Sequence, residues 1–219
     1  MDFVEILGAV STAKDWGSTL LTPFLQKRAK ILQEVILSEI RQGDFSRVDE
    51  DDKIAISYRL MRDALEGVAK NNLCLMARLI CGLAKKEQLT VHNFQKYAKI
   101  LSDLDYEEVE ILAEIVKKYE NLPPRDNEEY EFAKHRLVDS LLFDKFGFPP
   151  PENPEKYSEI YVRLNRLERT GFIVKHGGGF ATYKDGIYGS PFTITLFFEQ
   201  FLQFCPNWND LANWQKCNK

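Results

Sequence analysis

Through most of the first 120 positions, apolar residues recur at three- and four-residue steps, the spacing of amphipathic helices. From Thr22 to about Gly43, Leu25, Ala29, Leu32, Ile36 and Ile40 share one side, with Lys27, Arg28, Lys30, Glu34 and Glu39 opposite. Pro23 suits a first helical turn, and Gly43 a position just past the end. Phe3 to Ser18 reads as a shorter helix broken near Gly17. Asp49-Glu50-Asp51-Asp52 then opens the longest periodic segment, predicted to reach about Lys86. Negative charge there complements the positive end of a helix dipole, so the cluster reads as a helix start and not a metal site. Within this segment Met61, Leu65, Val68, Asn72, Leu75, Leu79 and Gly82 form a heptad seam. Asn72 either fixes the register of a coiled coil, which implies self-association, or marks a kink or solvent-facing point in an ordinary bundle helix.

Thr90 suits the cap of a helix with Val91, Phe94, Tyr97, Ala98 and Leu101 inward. Asp105-Tyr106-Glu107-Glu108 is a capping-box pattern, and the helix it starts should bury Val109, Leu112, Val116 and Tyr119. Short loops imply antiparallel neighbours in a bundle. The stretch from Glu120 to Asn127, with Pro123 and Pro124 at its centre, ends the run. The predicted organisation is therefore a helical bundle over 1–122, a linker over 123–126 and a second domain over 127–219.

The second domain has another rhythm. Residues 128–146 read as a helix with Phe132, Leu137, Leu141 and Leu142 inward. The prolines at 149–151 make an extended connector. Asn153-Pro154 starts a helix facing inward through Tyr157, Ile160, Tyr161, Leu164 and Leu167, and Gly171 ends it. Phe172 to His176 then reads as a strand, glycines 177–179 as a turn, and Phe180 to Tyr183 as a second strand. Asp185-Gly186 signals a further turn, and Phe192 to Ile194 a short third strand. Thr195 suits the cap of a last helix carrying Leu196, Phe197, Phe201, Leu202 and Phe204. The fold class expected is mainly α, with a small β-hairpin in the C-terminal α+β domain.

The string from Arg163 to Ile173 resembles the arginine-rich end of a recognition helix in bacterial winged-helix proteins. Thr193-Ile194-Thr195-Leu196 leading to Phe201 resembles the strand-to-helix exit of those domains. This likeness covers about residues 127–205 and implies a winged-helix-like domain. A broader likeness rests on the helical first half, the Leu101-Ser102-Asp103-Leu104 turn before an acidic helix, and the winged-helix-like end closing at Phe204-Cys205. In that order the chain is similar to the bacterial abortive-infection alpha family, which implies a role in defence against phage and transfers no catalytic residue.

Composition narrows the function classes. The 219 residues carry 29 Lys and Arg against 33 Asp and Glu, a net charge of −4, which opposes a surface given over wholly to nucleic acid. Cys74, Cys81, Cys205 and Cys217 form no C-x-x-C and, with only three histidines, no zinc spacing. They read as buried thiols of a cytoplasmic protein. No run of about 18 apolar residues suggests a membrane span. His176-Gly177-Gly178-Gly179 matches an oxyanion-loop string, but no G-x-S-x-G accompanies it, so the glycines read as a turn. No enzyme, cofactor or metal is expected.

Two binding readings follow. The favoured one is association with a protein partner or with a second copy. The last helix and tail hold more large aromatics than one core face takes, which leaves Phe198, Trp208 and Trp214 for a contact surface. In the alternative, the tail folds back across the helical half and seals it. The second reading is sequence-specific DNA binding, with Arg163, Asn165, Arg166 and Arg169 in the major groove and Lys175, His176 and Lys184 on the hairpin at phosphates or the minor groove. The net charge over 153–176 is only +2, and Glu159 sits four before Arg163 as a helix-surface pair.

Overall fold

A computed structural model describes residues 22–40, 43–135, 137–138, 154–175, 181–182, 188–189 and 192–205. The described chain is mainly helical with a small antiparallel sheet, and it divides into two compact units. One unit takes the described residues up to Leu104 with Gln203, Phe204 and Cys205; the other runs from Asp105 to Leu202. The division falls at Leu104–Asp105, so the helix after the capping box and the expected 123–126 linker both lie in the second unit. The helix expected over 3–18, the glycines 177–179, the Asp185-Gly186 turn and Cys217 lie outside the described residues.

In the first unit, α1 (Thr22–Val35) continues into a π-helical segment, Ile36–Ile40; of the expected inward residues Leu32, Ile36 and Ile40 are buried, with Val35 beside them, while Leu25 and Ala29 are half-buried. Helix α2 (Glu50–Leu65) is capped by Asp49, whose carboxylate accepts from the Asp51 N–H at 2.9 Å. The acidic cluster thus starts a helix.

The long periodic segment is not one helix. It breaks after Leu65, and α3 (Lys70–Lys85) begins anew. Gly67 sits at φ +99°, and the N–H groups of Gly67 and Val68 return to the carbonyls of Ala64 and Asp63 at 3.3 and 3.0 Å. That closing pattern needs a left-handed residue, which glycine adopts without a Cβ penalty. The heptad spacing of the sequence runs straight through the break. Helix α3 buries Leu73 to Ala77, Leu79, Ile80 and Leu83, so it is the unit's interior helix.

Asn72 is buried and does not face solvent: its Nδ2 donates to the Leu104 carbonyl at 2.7 Å. That carbonyl lies just past α4 (Val91–Asp103), a helix capped by Thr90 with Phe94, Tyr97, Ala98 and Leu101 buried. Phe204 and Cys205 complete this unit. Phe204 lies 6.2 Å from the Tyr97 ring, and Gly82 leaves room for its carbonyl.

In the second unit, α5 (Tyr106–Tyr119) begins with the expected capping box: Glu108 N–H donates to Asp105 Oδ1 at 2.7 Å, and Asp105 N–H to Glu108 Oε2 at 2.9 Å. Next come α6 (Glu129–His135), α7 (Pro154–Glu168), β1 (Ile173–Lys175), β2 (Ala181–Thr182), β3 (Tyr188–Gly189), β4 (Phe192–Ile194) and α8 (Leu196–Phe204), whose last two residues count with the first unit. Gly171, at φ +73°, follows α7 as expected. The strand pairing differs from expectation. β1 pairs with β4, Ile173 opposite Ile194, while β2 pairs with β3. The glycine string therefore does not join two partners; the turn signal at 185–186 lies between the strands that do pair. Phe172 and Phe192 enter the core beside α8, whose first turn Thr195 caps by accepting from the Phe198 N–H at 3.1 Å.

Candidate functional site

Leu164 and Leu167 are buried on α7, which fixes where its arginines go. Arg163, Arg166 and Arg169 recur every three residues and meet the acidic first turn of α5. Arg163 Nη2 lies 3.0 Å from Glu107 Oε1, Arg166 Nη1 3.8 Å from Asp105 Oδ2, and Arg169 Nη2 2.9 Å from Glu108 Oε2. Glu108 is 0% exposed, so its pair with Arg169 is held away from water on the carboxylate side. Its Oε2 accepts from both Arg169 and the Asp105 N–H, whereas Oε1 has no hydrogen-bond partner among the described residues. The helix ends favour this arrangement: acids stand at the positive end of α5 and Arg166 in the last turn of α7.

The other residues expected at DNA are placed less distinctively. Asn165 turns back on its own helix, donating to the Tyr161 carbonyl at 2.8 Å. Lys175 holds its ammonium 5.3 Å over the Tyr161 ring and 5.9 Å over Phe192, a cation–π geometry. His176 and Lys184 lie outside the described residues. A phosphate approaching the arginine row meets the Asp105 and Glu107 carboxylates as well as the guanidinium groups. The sequence carried a signal for this arrangement, arginines spaced by three and acids in one helical turn, which reading Asp105–Glu108 only as a cap overlooks.

Of the aromatics expected at a contact surface, Phe198 is fully buried, with its ring 4.9 Å from Phe172. Phe172, Phe197, Phe198 and Phe201 share one aromatic cluster, with the Phe172 ring 5.6, 4.9 and 5.0 Å from the other three. Trp208 and Trp214 lie outside the described residues. On the same helix, Glu199 is a buried carboxylate. Lys134 Nζ stands 2.5 Å from its Oε1, Arg125 Nη2 3.3 Å from Oε2, and the Tyr130 hydroxyl donates to it at 3.4 Å. Burial, the Tyr119 hydroxyl and the Glu199 charge all push the Tyr130 phenol up.

Large apolar groups stand in solvent elsewhere. On α2, Ile54 is 49% and Tyr58 59% exposed, one turn apart. Asp51, Ala55, Tyr58 and Arg62 step along that helix by four, three and four residues, so they share its outer side.

The thiols offer little nucleophilic chemistry. Burial, then the Glu39 charge, pushes Cys74 up to about 12 and Cys81 to about 11, so both stay protonated and unreactive at neutral pH. Among the described residues no group of His, Cys, Asp and Glu is arranged to hold a metal ion, and no helix is long and apolar enough to cross a membrane. Comparison with known families, curated proteins and solved structures finds no match to this chain.

Proposed function

We propose that this protein works by association, with itself or with another protein, and not by catalysis. The observation that carries this reading is the engagement of Arg163, Arg166 and Arg169 with Glu107, Asp105 and Glu108. The cations best suited to nucleic acid already have carboxylate partners, while large apolar side chains such as Tyr58 and Leu196 stand in water. Exposed apolar groups of this size mark contact surfaces more often than scattered lysines do. The second unit suits a winged-helix-like scaffold, with α7 as the helix before the hairpin and the chain between β1 and β4 as the wing. In that reading the arginine row fixes the helix in place and does not read base edges. The likeness to the abortive-infection alpha family supports a setting in conflict between bacteria and phage, in the cytoplasm.

The test combines light scattering with titration of duplex DNA at low and moderate salt. A mass above that of one chain with no salt-dependent DNA binding is expected. DNA binding that weakens with salt and disappears in Arg163→Ala/Arg166→Ala would overturn the reading.

A further inference from the structure

We infer that the outer side of α2 is a two-fold interface between two copies of this chain. The inference rests on the association reading above and gives it a surface and a partner.

The stripe is built to match itself. Its N-terminal end carries Glu50 and Asp51, its centre Ile54, Ala55 and Tyr58, and its C-terminal end Arg62, which is 43% exposed. Arg62 holds its neighbours Asp63 and Glu66 only loosely, at 3.7 and 3.5 Å, and remains open to a further carboxylate. Turn a second copy end over end so that the axis passes between Ser57 and Ile56, and each element finds its complement. Tyr58 of one copy lies over Ala55 of the other, a large ring against a small side chain. Ile54 borders the Tyr58 ring of the other copy on one flank, and Asp51 faces Arg62 at both ends. A parallel pairing would instead set Asp51 against Asp51 and Arg62 against Arg62. Symmetric dimers use one patch twice in this manner, residue i meeting j and j meeting i. Charge complementarity sets the orientation, while the apolar centre supplies the attraction. One helix pair falls at or below the lower end of specific interfaces, about 1,200 Å² in total, so the dimer is concentration-dependent.

The register gives a stringent test. Asp51→Arg alone and Arg62→Asp alone each set like charges together at both ends, and each should weaken self-association about tenfold or more. Mixed, the two variants pair Arg with Asp at every position and should form a heterodimer in sedimentation velocity. Tyr58→Glu should also yield a monomer with its thermal unfolding unchanged, which separates loss of contact from loss of fold. If either charge variant or Tyr58→Glu dimerises as the wild type does, this interface is wrong, while association through another face stands. A wild-type chain that stays monomeric at every concentration overturns both this interface and self-association.

Discussion

Arg169 donates to Glu108 at 2.9 Å across a pair in which the acid is fully buried and the base half exposed. Removing the base leaves a buried carboxylate held by the Asp105 N–H, and an under-satisfied buried charge costs more than a lost surface contact. Arg169→Ala should therefore lower unfolding stability by about 1–3 kcal/mol. Arg166→Ala, whose partner Asp105 is 3.8 Å away and half exposed, should lower it by about 0.5 kcal/mol or less. Urea unfolding of both variants checks the ranking; equal small losses would contradict the buried pairing.

Glu87 is the one described non-glycine residue in the left-handed region, at φ +57°. It closes α3 as Gly67 closes α2: its N–H reaches the Ala84 carbonyl at 2.9 Å and the Gln88 N–H the Leu83 carbonyl at 2.9 Å. Glu87→Gly removes the Cβ penalty and loses only an ion pair with Arg47 between exposed side chains. A stability gain of about 0.5–1 kcal/mol is expected in the urea midpoint; a loss would show that the ion pair outweighs the backbone.

Gly82 makes the opposite case. In an open helix position Gly→Ala stabilises by about 1 kcal/mol. Here a methyl group would fall on the Phe204 carbonyl, backbone that cannot swing aside. Gly82→Ala should destabilise by about 1–3 kcal/mol. A stabilised variant would mean that Phe204 does not rest on α3.

The thiols set a limit on alkaline stability. Both are raised from 9.0, to about 12 for Cys74 and about 11 for Cys81, so unfolding lets each ionise earlier. Stability attributable to them is therefore fully present below pH 9 and falls as pH rises through the window up to pH 11–12. The slope is up to about 1.4 kcal/mol per pH unit for each thiol. Cys74→Ala/Cys81→Ala should flatten the fall in unfolding free energy between pH 9 and 11 relative to wild type. An unchanged slope would contradict their protonated burial.

What the sequence revealed was local. The Thr90 cap, the Asp105–Glu108 box and the Gly171 end are set by residues within four positions of one another, and they stand where their chemistry puts them. The break at Gly67 was hidden because Val68, Asn72 and Leu75 continue the spacing of Met61 and Leu65, and periodicity records a shared buried side, not a continuous axis. Strand partners went astray for a different reason. Ile173 pairs with Ile194 across a long excursion, and nothing adjacent to either strand names its mate. Asn72 illustrates the same limit: its partner, the Leu104 carbonyl, is 32 positions away. Phe198 is taken up by Phe172, a ring 26 positions earlier in the chain, so its place in the core does not show in the local pattern. The arginine row is the instructive middle case, since both its periodic bases and its clustered acids were visible and only their meeting was not.

Sedimentation equilibrium of the wild-type chain across a dilution series bears most directly on the claim that this protein acts by association through α2. The account predicts an average mass that climbs from 25.4 kDa toward twice that value as concentration rises, and that stays at one chain in Tyr58→Glu. A wild-type mass fixed at 25.4 kDa throughout, or a variant that climbs alongside it, would contradict the account.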